Sequence, residues 1–109
     1  DFLVGTLSHL PYLLACALIS TADKTTSPDP LAWKIVAGGY RSTSRVAGSD
    51  VTMMMDILST NRDEVLRAVD VYMAQLQRLA DLVSQVETDE VQLRAALEFI
   101  RSTRKEQYP

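Results

Sequence analysis

Val65, Val69, Tyr72, Met73, Leu76, Leu79, Ala80, Val83 and Val86 recur every three or four residues, which is the spacing of one face of an α-helix. Arg67, Asp70, Gln77, Arg78 and Asp81 fill the positions between them, so the segment reads as one long helix with a broad apolar stripe and a polar back. Asp63 and Glu64 open it where the helix dipole favours negative charge, after Ser59-Thr60-Asn61 has broken the preceding segment. A stripe that wide must be covered, and in 109 residues the cover has to come from other helices or from another chain.

The rest of the chain supplies further helices. Phe2 to Thr21 is apolar almost all round, which predicts a helix in the middle of a bundle or across a subunit interface. A loop from Ala22 to Asp29 follows, and Pro30 suits the first turn of a short helix through Ala37 that stops at Gly38, where glycine takes positive φ without penalty. The segment to Gly48 reads as a loop, and Ser49-Asp50 opens a third helix through about Leu58. Beyond the long striped helix, Glu87 to Glu90 forms a turn with Thr88 as the cap. A last helix then runs to about Arg104, with Leu93, Ala96, Leu97 and Ile100 on one side and Glu90/Arg94 and Arg94/Glu98 as supporting pairs. No strand alternation recurs, so the fold class is all-α, a helical bundle of about five helices, and 47% hydrophobic against 23% charged residues makes it an ordinary globular domain.

Several function classes drop out. The net charge of -3, with basic residues dispersed among acids, argues against a nucleic-acid surface. One His, one Cys and scattered carboxylates offer no metal-ligand spacing. Cys16 stands alone inside an apolar run, so no internal disulfide forms, and a reducing, cytoplasmic location is expected. The run from Phe2 to Ile19 has the length of a membrane span or a signal peptide, but Ser8, His9 and Pro11 interrupt it and Asp1 stands where a signal peptide carries positive charge, so no membrane partner is expected.

The chemistry is concentrated in Gly38-Gly39-Tyr40-Arg41-Ser42-Thr43-Ser44-Arg45 followed by Ser49-Asp50. Two glycines, two arginines and four hydroxyls at the mouth of a helix describe an anion site, because free N–H groups there carry partial positive charge and a guanidinium fork fits a carboxylate. Upstream, Ser8 and Tyr12 are four residues apart on one helical face, with Pro11 perturbing the backbone between them. Arg45 is the strongest candidate. Arg41 reads as a surface charge, His9 as a satisfied core histidine and Met53-Met54-Met55 as adaptable packing.

Ser8-His9-Leu10-Pro11, then Gly39-Tyr40-Arg41-Ser42-Thr43-Ser44-Arg45-Val46-Ala47, then Ser49-Asp50 with Met53, Met54, Asp56 and Ile57, and finally Asn61 before a long helix, resemble the C-terminal helical domain of the prephenate and arogenate dehydrogenases. The resemblance runs from Asp1 to about Leu79 in the same order. It implies a dimerisation and substrate-binding domain spanning residues 1–109, like the second domain of 6-phosphogluconate-dehydrogenase-type enzymes. In that family prephenate or arogenate is oxidised and decarboxylated on the route to tyrosine, with NAD or NADP bound mainly by an N-terminal dinucleotide-binding domain that this chain lacks. No Gly-x-Gly-x-x-Gly or βαβ pattern is present, so no cofactor-binding residue is expected, and the catalytic histidine belongs to the missing half.

The resemblance further implies that Arg45 grips a substrate carboxylate, that Ser8, Tyr12 and Ser49 complete a polar wall, and that Gly38 permits close approach. Tyr12 stands where the family usually has histidine, Ser42 where it often has aspartate, and Met54 where it commonly has tryptophan. Two other readings stay open from the residues alone: a non-enzymatic helical dimerisation or interaction module, and the helical half of another dehydrogenase family.

Overall fold

A computed structural model describes residues 1–26 and 38–108, and among them every regular element is helical. In chain order these are α1 (Phe2–Val4), a π-helical turn (Gly5–His9), α2 (Leu10–Thr26), α3 (Gly38–Ser44), a 3-10 turn (Arg45–Gly48), α4 (Val51–Thr60), α5 (Arg62–Ser84) and α6 (Glu90–Gln107). The short helix expected from Pro30 to Ala37, with Trp33, lies outside the described residues. The chain divides into two compact units, Asp1–Asp70 and Val71–Pro109.

In the first unit the opening helical run continues to Thr26, five residues past its expected end at Thr21. Thr25, in the expected loop, is accommodated inside the helix, its Oγ1 donating to the Thr21 carbonyl at 3.0 Å, as Thr21 Oγ1 donates to the Ala17 carbonyl at 2.8 Å one turn earlier. Pro11 leaves its mark one turn earlier. It has no N–H, and its ring would crowd the Leu7 carbonyl in a regular helix. The chain widens at Gly5–His9 instead, with the Leu10 N–H reaching back five residues to the Gly5 carbonyl.

Gly5 is buried, and a Cβ built on it would stand 3.3 Å from both Asn61 Nδ2 and the Glu64 carbonyl oxygen. The start of α5 therefore backs directly onto the widened turn, with space for a hydrogen atom and little more. Arg67 reinforces the same contact from the solvent side, its guanidinium lying 4.0 Å from the centre of the Phe2 ring while it pairs with Glu64 at 3.0 Å.

Gly38 to Gly48, expected as a loop, is helical. Gly38 is helical, in α3, and its φ lies outside the left-handed region. Ser42, Thr43 and Ser44 are weak helix formers but not helix breakers, and the chain tightens into the 3-10 turn only at Arg45. The cap of α4 is Asp50 and not Ser49: an Asp50 carboxylate oxygen accepts the Met53 N–H at 2.8 Å, while Ser49 Oγ donates to the Val46 carbonyl at 2.6 Å and closes the 3-10 turn. Carboxylate beats hydroxyl here because it also opposes the positive end of the helix. Thr60 extends α4 two residues past Leu58 by donating to the Asp56 carbonyl. Of the three methionines only Met54 is buried.

The second unit holds the end of α5 and α6. Asp89 occupies the N-cap position of α6, displacing the expected Thr88, whose hydroxyl turns back to the Gln85 carbonyl. The Glu90–Arg94 pair forms at 3.9 Å between exposed side chains, so it adds only a few tenths of a kcal/mol. The apolar stripe of α5 is covered over its first turns, where Val65 and Ala68 are 3% and 1% exposed, and is open further on at Met73, Leu76 and Val83.

Two substitutions check this description. Asp50→Ala removes the cap of α4 and lowers stability by about 1 kcal/mol. Gly5→Ala pushes the first helical run off the start of α5 and costs roughly 1–3 kcal/mol. Both are read from denaturant midpoints of the purified protein; an unchanged midpoint for Gly5→Ala contradicts the close approach.

Candidate functional site

The residues singled out from sequence all lie in the first unit. Helix α2 packs against both α3 and the 3-10 turn, so the helix that carries Tyr12 meets the segment that carries Arg45. The 3-10 turn explains why Arg45 stands where it does. A regular helix would have carried residue 45 on around the cylinder, whereas the tightening at Ser44 ends α3 and leaves Arg45 at its edge, one turn before the capped start of α4.

Arg45 is exposed and makes no ion pair or hydrogen bond with any described residue. Arg62, Arg67 and Arg94, in contrast, are each answered by an acid of their own or a neighbouring turn. A guanidinium without an internal counter-ion keeps all of its donors available to an incoming anion and pays nothing to break an existing pair.

Tyr12 is half-buried in the first turn of α2. A hydrogen bond with the Cys16 side chain one turn on, with desolvation second, raises the Tyr12 phenol above its ordinary value of 10.0. At neutral pH Tyr12 is therefore an uncharged hydroxyl, able to donate to a carboxylate or accept from an alcohol. Cys16 acts as the neighbour of this phenol as well as a packing residue, a role the i,i+4 spacing could have signalled.

Ser8 is exposed on the π turn, where the extra residue changes which way the side chain points relative to a regular helix. Ser49 is half-buried, and the hydrogen bond to Val46 uses its proton while leaving oxygen lone pairs free to accept. Gly38 is exposed, and a Cβ there would meet nothing within 4 Å, so no described neighbour requires a glycine at that position.

Asn61, a helix breaker and part of the last motif in the sequence, also makes long-range contacts. Its Nδ2 donates to the Asp1 carbonyl at 2.8 Å and lies 3.3 Å from His9 Nδ1, tying together segments more than fifty residues apart in sequence. No local pattern signals such a contact. Among the described residues no cluster of three His, Cys, Asp or Glu side chains gathers into a metal-ligand arrangement. The segment Phe2–Thr25 is long and apolar enough to cross a membrane by length and composition, which a helix at a protein interface also satisfies.

The profile of the family described as "Prephenate dehydrogenase, dimerization domain" matches residues 1–99. The prephenate dehydrogenase of Bacillus subtilis is 28% identical over 89 residues, covering 82% of this chain and 24% of that protein. The cyclohexadienyl dehydrogenase of Zymomonas mobilis is 29% identical over 91 residues, 82% of this chain and 31% of that protein. Among solved structures, prephenate dehydrogenase from A. aeolicus, in complex with hydroxyphenyl propionate and NAD+, superposes with a TM-score of 0.86 at 30% identity over 97% of this chain and 36% of that one. Synechocystis arogenate dehydrogenase gives 0.86 at 28% identity, over 98% of this chain and 38% of that one. The chain thus spans about a quarter to two-fifths of the length of the relatives it matches. With the three sequence motifs in their expected order and an all-helical architecture shared with those enzymes, the chain belongs to the family of prephenate dehydrogenase dimerization domains.

Proposed function

We propose that this domain is the dimerising, substrate-gripping half of an NAD(P)-dependent dehydrogenase that oxidatively decarboxylates a cyclohexadienyl acid, prephenate or arogenate. The observation that carries the proposal is the unpaired Arg45 guanidinium, at the edge of α3 and against the helix of Tyr12, in a chain whose relatives act on such acids.

The described residues do not fit the cofactor: they contain no strand and no glycine-rich turn from strand to helix, so the dinucleotide is assigned to a part of the enzyme outside this chain. There it supplies the acceptor for the hydride. What this domain contributes is position. In this reading Arg45 holds a carboxylate by paired N–H donors, and the neutral Tyr12 hydroxyl, Ser8 and Ser49 are the uncharged partners assigned to the remaining substrate oxygens. Loss of the ring carboxylate as carbon dioxide yields an aromatic ring, so the reaction needs a substrate held in one orientation more than it needs many acids and bases. Gly38, open on all sides here, takes no part in this reading unless a neighbouring chain approaches it.

Dimerisation follows from the surface. Leu3, Leu7, Met73, Leu76, Phe99 and Ile100 are large apolar side chains left exposed, Leu7 and Phe99 at 74% and 72%. A second copy of this chain is the cover assigned to them, which makes the domain a homodimer.

Arg45→Ala in the intact enzyme raises KM for prephenate or arogenate by about two orders of magnitude with circular dichroism unchanged. Wild-type kinetics contradict the assignment. Light scattering of the chain at micromolar concentration gives twice the 12.1 kDa mass of one copy; a mass equal to one copy contradicts the dimer.

A further inference from the structure

The junction between the first helical run and α5 contains a hydrogen-bond hub that packing alone does not require. Asn61 sits where α4 ends and α5 begins, its N–H bonded to the Ile57 carbonyl and its carbonyl accepting the Val65 N–H, so its backbone is fixed by both helices. Its half-buried side chain points back at the π turn. The Asp1 carbonyl can only accept, so the group 2.8 Å from it is the Asn61 amide nitrogen, which settles the orientation of the carboxamide by chemistry. The second hydrogen of that nitrogen faces His9 Nδ1 at 3.3 Å. His9 Nδ1 is therefore the acceptor, and in the neutral ring the proton sits on Nε2.

His9 is the last residue of the π turn and the direct neighbour of Ser8. A π turn is a poor local minimum, and a widened register persists only where its surroundings hold it. Here three features do so together: Pro11 blocks the regular register, Gly5 lets the start of α5 approach, and Asn61 fixes the ring of His9. The first two favour a wide turn, and the third ties the His9 ring to the start of α5.

We infer that Asn61 and His9 are positioning residues, whose hydrogen bond through His9 Nδ1 holds the π turn so that the Ser8 hydroxyl faces the substrate. This rests on the substrate reading of Ser8 and Arg45 given above. His9 acts through its δ nitrogen on its own backbone and touches no reacting atom.

The test uses the intact enzyme with prephenate and NAD+, and three substitutions at His9 that separate the two ring nitrogens. His9→Leu removes the acceptor and raises KM for prephenate about tenfold with kcat within about twofold, the pattern of lost ground-state binding. His9→Asn places its amide oxygen where Nδ1 stood and returns KM to within about twofold of wild type. His9→Gln carries its oxygen at the position of Nε2 and stays impaired. Rescue by Gln and not by Asn overturns the inference, because it assigns the work to Nε2, and so does wild-type KM in His9→Leu. If His9→Leu does not fold, the Asn and Gln variants, both polar at this half-buried position, decide between the nitrogens by the same comparison. Arg45→Ala measured in parallel separates the two levels. Raised KM there with normal His9→Leu removes only the positioning role, whereas normal KM in Arg45→Ala removes the substrate reading and the inference with it.

Discussion

Apolar surface without cover is the constraint on which this structure depends. The apolar residues that the described chain buries fully are Ala15, Met54, Val65, Ala68 and Ala96, mostly small, while leucines, valines, methionines and a phenylalanine along four helices remain exposed. Exposed apolar surface of this kind suits a protein partner, and the family model that matches the chain is described as a dimerization domain. The start of α5 lies against the opening helical run, and Val65 and Ala68 are buried there.

The candidate site inherits its character from that arrangement. It is assembled on helix ends and on two departures from regular helix, the π turn before Pro11 and the 3-10 turn after Ser44. Each departure carries one candidate side chain, Ser8 in the first case and Arg45 in the second, next to regular α-helix. Electrostatically the site is simple. Arg45 has no counter-ion among the described residues, and the 3-10 turn that carries it packs against α2, the helix of the neutral Tyr12 phenol.

Much of this was legible in the sequence. The all-helical class follows from periodicity at residues 65–86, and the three motifs led to the family. The break at Asn61 falls where the composition puts it, whereas α5 ends at Ser84, before Val86 and the expected turn at Glu87. What the sequence misjudged were segments where a polar or flexible residue was taken as a breaker. Thr25 satisfies its hydroxyl within the helix, and Gly38 and Gly39 are helical. Competing caps were also ordered wrongly: Asp50 holds α4 in place of Ser49, and Asp89 stands at the cap position in place of Thr88, because local preference ranks these residues almost equally and geometry decides. The Asn61 hub was invisible for a different reason. It joins residues 52 and 60 positions apart, and no window short enough to read a pattern contains both ends.

The central claim is that the charge of Arg45 is matched to a carboxylate on the ligand. Calorimetric binding of hydroxyphenyl propionate and of its uncharged methyl ester, each to the intact enzyme and to its Arg45→Ala variant, tests that claim as a closed cycle. The account predicts that the acid binds about two orders of magnitude more tightly than the ester to the unaltered enzyme, and that the difference vanishes in the variant. An acid-to-ester ratio that is the same in both proteins contradicts it.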